Sequence, residues 1–297
     1  MSHDLSRCSE TVHALLTLAE TRFRSVGIAT SRLDAEALLA HVLTFDRAQL
    51  FARMSAPVSA EAREAFLQLV HRRARREPLA YLTGVREFWS LEFRVTPAVL
   101  IPRPETELLV ETALRLLAQA KMLASPLRLL DIGTGSGCLA IALAKELPTA
   151  EVWAVDVSLP ALEVAQDNAR RLGVAERIRF LHSDLCAALS QTERSFDLLV
   201  TNPPYIAHGE LATLQPEVRD WEPHMALAGG ADGLDFYRRL VAESPSHLHP
   251  GGWLLMELGT GQAAAMLDLF RSSRSFQNPY CLRDYAGHER VVVACAR

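Results

Sequence analysis

Hydrophobic residues recur at helical spacing through the first quarter of the chain, between residues 11 and 76. Residues three and four positions apart lie on one face of a helix, as do Leu15, Leu18, Ala19, Arg22 and, further on, Ala35, Leu38, Leu39, Val42 and Leu43. Thr30 or Ser31 before Asp34 indicates one helix start, and Ser59 before acidic residues indicates another. No strand pattern interrupts this stretch, which predicts a small helical bundle.

The pattern changes after residue 84. A short hairpin linker at 84–107 is predicted by Phe88, Trp89, Leu91, Phe93 and Val95, with Gly84 and two prolines nearby. Beyond it, strand patterns at 128–132, 152–157, 178–182, 196–201 and 253–258 are joined by helical patterns at 137–146, 160–172 and 235–247, and a last, antiparallel strand is expected at 290–294. Alternating strands and helices predict an α/β fold with a Rossmann-like parallel sheet. We predict three segments: a smaller N-terminal helical-bundle domain (1–83), the hairpin linker (84–107) and the sheet domain (108–297).

Charge and composition argue against duplex nucleic acid as the main partner. The 297 residues carry 31 Lys+Arg against 35 Asp+Glu, a net charge of -4, whereas affinity for duplexes comes largely from phosphate neutralisation by basic residues. The basic run at 71–76 is either a solvated helix end, where cations suit the helix dipole, or a docking site for an acidic partner.

The cysteines and apolar runs bear on the compartment. Five cysteines, Cys8 among them, stand at irregular spacing without a CxxC pair, which predicts reduced thiols and no structural zinc. No apolar run approaches membrane-spanning length, and the first twenty residues lack a signal-peptide pattern. We expect a soluble, cytoplasmic protein without a metal site or a membrane association.

A glycine-rich segment joins the first predicted strand of the sheet to the next helix. Asp131, Ile132, Gly133, Thr134 and Gly135 follow one another there, and glycines let a backbone turn tightly beside a ligand. A dinucleotide would place its pyrophosphate at this helix N-terminus, close to the carboxylate of Asp131. S-adenosylmethionine carries an ammonium and a sulfonium and has no phosphate, so the segment favours that cofactor.

Two more acidic residues follow the next two predicted strands. Asp156 is placed to accept hydrogen bonds from both ribose hydroxyls, and Asp184 to meet the adenine amino group, with Leu185 after it. Either acid alone is more often a helix cap, and Asp156 before Ser158 could simply start a helix. Ligands in such sheets bind at the carboxyl ends of the strands, so acids at three successive ends predict a cofactor site.

The fourth strand of the sheet runs into Asn202-Pro203-Pro204-Tyr205. Two prolines fix their own φ angles, and the first holds Asn202 extended. The Asn202 side-chain oxygen and the Pro203 carbonyl would each accept an N–H from a planar nitrogen, aim its lone pair at a methyl group and stabilise the developing positive charge. Tyr205 would stack on the flat acceptor. The loop alone leaves adenine N6 and a glutamine amide as possible acceptors.

Several motifs spread along the chain resemble those of the release factor glutamine methyltransferases. They are Tyr81-Leu-Thr-Gly84, Glu87-Phe-Trp89, Leu100-Ile-Pro-Arg-Pro-Glu-Thr-Glu107, Asp131 to Gly137, Asn202 to Tyr205, Val218-Arg-x-x-Glu222-Pro223, Gly230-Ala-Asp-Gly-Leu-Asp235, and Asp284-Tyr with Glu289-Arg290. The resemblance covers nearly the whole chain, and Ile-Pro-Arg-Pro-Glu-Thr-Glu is highly specific. It implies methylation, with S-adenosylmethionine, of the glutamine in the Gly-Gly-Gln motif of peptide-chain release factors.

The resemblance also implies roles for single residues. It assigns cofactor contacts to Asp131 to Gly135, Asp156 and Asn202, and glutamine contacts to Asn202, Pro203, Pro204 and Tyr205. It makes a monomer the default, with the N-terminal domain helping to dock the release factor. Leu185 departs from family members with an aromatic residue after the third acid, so cofactor affinity could differ. Arg103 and Glu105 would brace the cofactor loop, close the substrate channel or form a structural ion pair.

Three alternatives remain. The first is an enzyme that methylates a glutamine in a ribosomal protein, although its linker departs from the Arg103-Pro-Glu-Thr pattern seen here. The second, a DNA adenine methyltransferase, would need a target-recognition domain and a basic cleft. The third, a non-catalytic cofactor-binding module, would have no reason to keep the complete loop from Asn202 to Tyr205.

Overall fold

The structure is a computed structural model that describes residues 10–189 and 195–297, and it divides into two compact units. The first unit extends to Gly84 and also contains Pro216–Trp221. The second unit comprises Val85–Gln215 and Glu222–Arg297. The hairpin thus belongs to the same unit as the sheet by its contacts, while the proposed three-segment boundaries stay a prediction.

The first unit is a bundle of short helices, as the hydrophobic spacing predicts. Its helices are α1 (Val12–Ser25), α2 (Ser31–Leu43), α3 (Arg47–Ala52), α4 (Ala60–Ala74), α5 (Leu79–Thr83) and, much later in the chain, α9 (Pro216–Arg219). The side chain of Ser59 caps α4 by accepting from the Ala62 N–H at 3.2 Å, as expected. Leu16 and Phe23 fill the core of the bundle together with Leu15, whereas Leu18 is exposed.

The basic run at the end of α4 is largely engaged within the first unit. Arg73 is buried, and its guanidinium contacts Asp34 Oδ2 at 2.7 Å and Glu217 Oε1 at 2.9 Å. Arg76 holds the other oxygen of Glu217 at 2.7 Å, and Arg72 pairs with Glu77. The expectation of a solvated helix end is therefore wrong for Arg73, because its guanidinium is paired with the buried carboxylate of Asp34 and the partly buried carboxylate of Glu217.

The second unit is built on a seven-stranded sheet in the order β5-β4-β3-β6-β7-β9-β8. Its strands are β3 (Arg128–Ile132), β4 (Glu151–Asp156), β5 (Ile178–His182), β6 (Phe196–Thr201), β7 (Leu248–Glu257), β8 (Phe276–Arg283) and β9 (Glu289–Ala296). Neighbours from β5 to β7 run parallel, and β9 pairs antiparallel with both β7 and β8. The α/β fold predicted from the sequence is confirmed, including the final antiparallel strand.

Helices cover both faces of this sheet. They are α6 (Glu107–Gln119), α7 (Cys138–Glu146), α8 (Leu159–Arg171), α10 (Asp235–Glu243) and α11 (Ala263–Ser272). Successive strand residues point to opposite faces, so Leu129 packs in the core with α6 and α7 while Leu130 packs in the core with α10 and α11. The sequence patterns missed α6, α11 and β8, began β7 at residue 253 instead of Leu248, and extended α10 beyond Glu243.

The predicted hairpin is formed by β1 (Val85–Phe88) and β2 (Leu91–Arg94), which pair antiparallel. Both turn residues, Trp89 and Ser90, have positive φ angles of 52° and 56°, the conformation that matches the twist of a two-residue hairpin. Phe88 and Phe93 pack edge to face with ring centroids 6.1 Å apart. They join the core on the α6 and α7 side of the sheet.

The described residues include free thiols, but neither a group of metal ligands nor a membrane-spanning helix. Four cysteines there are free thiols, and Cys8 lies outside the described residues. Within the same residues, no three His, Cys, Asp or Glu side chains are grouped so as to hold a metal ion. None of the helices in ranges 10–189 and 195–297 is long and apolar enough to cross a membrane.

Arg73→Ala should destabilise the first unit. Removal of one partner leaves the carboxylate of Asp34 buried and uncompensated, which typically costs about 3–5 kcal/mol. We expect a loss of this order in the free energy of unfolding, measured by urea denaturation. The control is Arg75→Ala, which removes an exposed arginine from the same run and should change the free energy by no more than about 0.5 kcal/mol. Equal effects of the two substitutions would contradict a structural role for Arg73.

Candidate active site

A cavity of about 190 Å³ opens at the carboxyl ends of β3, β4, β5 and β6. Ten of the predicted site residues line it: Ile132, Gly133, Thr134, Gly135, Asp156, Asp184, Leu185, Asn202, Pro203 and Pro204. Two predicted residues, Asp131 and Tyr205, lie behind the wall and do not line the cavity. The fold therefore gathers the predicted cofactor and loop residues around one space, as expected for ligands of parallel sheets.

In the glycine segment after β3, the backbone N–H groups donate hydrogen bonds to acceptors within the protein. The N–H groups of Gly133 and Thr134 both donate to the Val155 carbonyl, at 2.8 and 3.0 Å. The Gly135 N–H donates to Asp156 Oδ2 at 2.8 Å, and the Gly137 N–H to the Thr134 carbonyl at 2.8 Å. A phosphate needs such N–H groups directed at it, so these four leave no nest for a pyrophosphate.

The glycines of this segment fall into two kinds. Gly133 and Gly135 have positive φ angles, and a Cβ built on either would meet no protein atom within 4 Å. The space beside their backbone is therefore open for a ligand. A Cβ on Gly137 would instead lie 3.0 Å from Ile141 Cδ1 and 3.1 Å from Ala165 Cβ, so close packing of helices requires this glycine.

Asp131 is buried directly behind the glycine segment. Its Oδ2 accepts hydrogen bonds from Thr134 Oγ1 at 2.7 Å and from the Ala140 N–H at 3.1 Å. Its Oδ1 is buried and has no hydrogen-bond partner among the described residues. Burial raises the pKa of Asp131 to about 7, and the charge of Asp156 adds to the rise. A buried acceptor of this kind calls for an explanation, and Asp131 lies directly behind residues that line the cavity.

The other two predicted acids differ in their surroundings. Asp156 accepts from the Gly135 N–H through Oδ2 and from the Ser158 N–H through Oδ1, at 2.8 and 2.9 Å. Burial raises the pKa of Asp156, while these backbone hydrogen bonds oppose the rise. Asp184 is half exposed and pairs with Arg239 at 3.0 Å, a partner that the sequence did not suggest. Leu185 turns with φ 48° and lines the cavity with a buried side chain.

The Asn-Pro-Pro-Tyr loop is held by a cradle of glycines. A Cβ on Gly229 would lie 2.7 Å from Tyr205 Cα, and one on Gly259 would lie 2.9 Å from Tyr205 Cδ2. A Cβ on Gly233 would also collide with the Tyr205 carbonyl oxygen. The Gln262 Nε2 donates to that same oxygen at 2.9 Å. A side chain larger than hydrogen at any of these glycines would displace the loop. The three glycines therefore allow the close contacts that fix the loop's backbone position.

A chain of hydrogen bonds connects the loop to a buried carboxylate. Asn202 Nδ2 donates to Thr106 Oγ1 at 3.3 Å, and Thr106 Oγ1 donates to Glu257 Oε2 at 2.6 Å. The Tyr205 hydroxyl donates to Glu257 Oε1 at 3.2 Å. Burial raises the pKa of Glu257 to about 7, with the Thr106 hydrogen bond opposing it, and burial also raises the pKa of Tyr205. The predicted stacking of Tyr205 on an acceptor stays a prediction.

Arg103 makes an ion pair, although its partner is not Glu105. Its Nη2 lies 2.6 Å from Glu222 Oε1, and the other oxygen of Glu222 accepts from the Ile101 N–H at 3.2 Å. Glu222 is buried, Glu105 is exposed, and Arg103 lines the cavity. The pair holds the strand-like segment before α6 to the segment that follows Trp221 in the chain.

Comparison with known proteins adds the family. The model described as the PrmC N-terminal domain matches residues 14–84, and the methyltransferase small domain model matches residues 106–217. A release factor glutamine methyltransferase from Geobacter sulfurreducens is 45% identical over 95% of both chains. Another, from Xylella fastidiosa, is 47% identical over 94% of this chain and 96% of its own length.

The chain belongs to the release factor glutamine methyltransferase family. It is therefore a methyltransferase, as the motifs predicted. A crystal structure of a methyltransferase from Pyrococcus furiosus matches 76% of this chain and 98% of its own with a TM-score of 0.50 at 19% identity. That likeness supports the fold alone.

Sequence reasoning missed several residues at the site of this glutamine methyltransferase. Thr106 lies within the Pro-Arg-Pro-Glu-Thr motif, yet its contact with Asn202 could not be read from the spacing. Glu257 carried a usable signal, because a lone acid inside the apolar run from Trp253 to Leu258 must be buried and buried charges need partners.

Gly229→Ala should disturb the loop of this methyltransferase. The new Cβ would sit 2.7–2.8 Å from backbone atoms of Pro204 and Tyr205, and overpacking of this kind costs about 1–3 kcal/mol. We expect methyl transfer to fall on the order of 100-fold, since small misplacements of reacting groups have effects of that size. The control is Gly209→Ala, whose Cβ would meet nothing within 4 Å. If Gly229→Ala kept the wild-type rate and stability, the proposed role of these glycines in holding the loop would be contradicted.

The burial of Asp131 should make stability depend on pH. An aspartate in the unfolded chain titrates near pH 3.9, whereas its pKa in the folded protein is about 7. Between these values the folded state holds a proton that the unfolded state has released. Rising pH therefore lowers the free energy of unfolding, by up to about 1.4 kcal/mol per pH unit for one group.

Asp131→Asn should flatten this dependence. Glu257, whose pKa is also raised to about 7, would contribute in the same direction and remain in the variant. Urea denaturation of the ligand-free protein at pH 5, 6 and 7 measures the slope in both proteins. The same slope in wild type and Asp131→Asn would show that Asp131 is ionised in the folded state throughout this range.

Proposed function

We propose that this protein transfers the methyl group of S-adenosylmethionine to the side-chain amide nitrogen of the glutamine in the Gly-Gly-Gln motif of peptide-chain release factors. The observation that carries the proposal is the position of Asn202 and the two prolines in the wall of the cavity beside the glycine segment. Its relatives over about 95% of the chain carry the name release factor glutamine methyltransferase.

The cavity fits S-adenosylmethionine better than a phosphate-bearing cofactor. The N–H groups of Gly133, Thr134 and Gly135 already donate to acceptors within the protein. Asp156 and Asp184 line the cavity, and Asp131 lies behind its wall. The open space at Gly133 and Gly135 and the unpartnered Oδ1 of Asp131 suit an ammonium-bearing ligand. When bound, the cofactor supplies an electrophilic methyl group on a positively charged sulfur.

We assign cofactor contacts to the residues from Asp131 to Gly135 and to Asp156, Asp184, Leu185 and Asn202. Each oxygen of Asp156 already accepts one backbone N–H and has a second lone pair for a ribose hydroxyl. Asp131 would act from behind the segment through its free oxygen. Leu185 offers an apolar side chain on which adenine would pack, in place of an aromatic ring.

The loop would activate the glutamine nitrogen by orienting it. An amide nitrogen is a poor nucleophile because its lone pair is delocalised. With one N–H donated to Asn202 Oδ1 and the other to the Pro203 carbonyl, the lone pair is directed along the line of methyl transfer, and the positive charge that develops on nitrogen is stabilised. Pro204 keeps this geometry rigid, and Tyr205 is held behind it by Glu257.

Glutamine is favoured over the nucleic-acid alternative by charge. The chain has a net charge of -4, and three of the four arginines in its densest basic run engage carboxylates in the first unit. A duplex-binding enzyme would present such groups to phosphates. We further propose that the protein acts in the cytoplasm as a monomer, and that the first unit helps to dock the release factor.

Asn202→Ala should lower methyl transfer far more than it lowers the affinity for S-adenosylmethionine, because Asn202 is only one of several proposed cofactor contacts. The substitution removes an acceptor that stabilises charge in the transition state, and loss of such a group typically lowers kcat about 10²- to 10³-fold. Single-turnover assays measure the rate, and calorimetry measures the binding of S-adenosylmethionine. Unchanged turnover in this variant would remove the proposed mechanism.

Peptide mass spectrometry identifies the substrate. The protein is incubated with S-adenosylmethionine and a purified release factor, with ribosomal proteins and unmethylated DNA in parallel reactions. We expect one added methyl group on the Gly-Gly-Gln peptide, absent with Asn202→Ala. Label in ribosomal protein or DNA instead would keep the reaction class and overturn the substrate.

A further inference from the structure

We propose that Glu257 and Thr106 are positioning residues that set the direction of the Asn202 side-chain amide and hold the Tyr205 hydroxyl. The proposal rests on the proposed function, since it says how the loop is kept ready for a glutamine amide. It is carried by the chain of hydrogen bonds from Asn202 through Thr106 to Glu257, with a branch to Tyr205.

The direction of the Asn202 amide follows from counting protons. An ionised carboxylate only accepts hydrogen bonds, and a threonine hydroxyl has a single proton to give. At 2.6 Å from Glu257 Oε2, Thr106 gives its proton to the carboxylate. Its oxygen can then only accept from Asn202, so the NH₂ group of Asn202 faces Thr106. The Asn202 oxygen is consequently on the opposite side of the amide, where a substrate N–H can reach it.

A carboxylate is needed because two groups donate to it. Oε2 accepts from Thr106, and Oε1 accepts from the Tyr205 hydroxyl. A glutamine at position 257 has only one oxygen, so it cannot accept from both in the same way. This requirement gives a reason for an ionisable group that is only 1% exposed, since burial of a charge is otherwise unfavourable.

The anchors of this network lie on separate rigid elements of the second unit. Thr106 stands directly before α6, and Glu257 is the last residue of β7. The Tyr237 hydroxyl donates to the Glu257 carbonyl at 2.8 Å, which fixes the backbone at that point. Neither Glu257 nor Tyr205 lines the cavity, so Glu257 acts through its neighbours and not on the substrate.

Three threonine substitutions test the network at pH 8. Thr106→Val removes the hydroxyl at nearly constant volume and should lower kcat about 10- to 100-fold, as expected when a catalytic group is misoriented, with the Kd for S-adenosylmethionine unchanged. Thr106→Ser keeps a hydroxyl and should restore most of kcat. The control is Thr112→Val in α6, since the Thr112 hydroxyl is buried without a hydrogen-bond partner, and it should match wild type.

A second measurement needs no release factor. The side-chain NH₂ resonances of Asn202, assigned by their absence from Asn202→Ala, should shift in Thr106→Val and in Glu257→Gln. They should keep their wild-type positions in Thr112→Val. In the assay with release factor, Glu257→Gln should also lower kcat while preserving cofactor affinity, which separates loss of orientation from loss of the fold.

The outcomes separate this inference from the proposed function. The positioning role would be overturned if Thr106→Val had the same kcat as Thr112→Val, or if it left the Asn202 resonances unshifted. This holds even if the wild type methylates release factors. A wild type that leaves release factors unmethylated would count against the proposed function alone, because shifted resonances in Thr106→Val and Glu257→Gln would still support the network.

Discussion

A segment with two consecutive prolines lacks two backbone N–H donors, and other parts of the second unit hold it in place. Pro203 and Pro204 have no N–H to give to a neighbouring strand, so the loop is held from outside. Gln262 binds the Tyr205 carbonyl, and Gly229 lets another chain segment approach within van der Waals contact. These supports come from after β6 and after β7, so the loop geometry depends on the whole sheet being assembled.

The same sheet explains why the cavity suits a cation. In a dinucleotide site the glycine segment presents its N–H groups to phosphate. Here the Val155 carbonyl and the Asp156 carboxylate take three of them, which ties the ends of β3 and β4 together. The segment thus gains rigidity from hydrogen bonds that engage N–H groups which a phosphate would otherwise contact. Under the proposed function, the acids at this edge would favour a positively charged ligand.

What could be predicted from the sequence was local. The glycine segment and the Asn-Pro-Pro-Tyr loop carry their geometry in adjacent residues, so their positions after β3 and β6 followed from the strand pattern. Thr106 and Glu257 are 151 residues apart, and only the fold brings them together. The strand β8 was missed because Asn278 and Pro279 interrupt its pattern, and a proline is tolerated there because β8 is an edge strand.

The two units stabilise buried and partly buried carboxylates by different interactions. In the first unit, Asp34 and Glu217 share the guanidinium of Arg73, so their charges are compensated and the segment containing α9 is fixed in place. In the second unit, hydroxyl and N–H groups donate hydrogen bonds to Asp131 and Glu257, and neither acid forms an ion pair with a described residue. Burial raises both pKa values to about 7. A buried acid with a raised pKa lowers the free energy of unfolding once the pH is high enough to ionise it. The positions of Asp131 and Glu257 behind the glycine segment and the Asn-Pro-Pro-Tyr loop indicate that orientation of those segments outweighs the loss of stability.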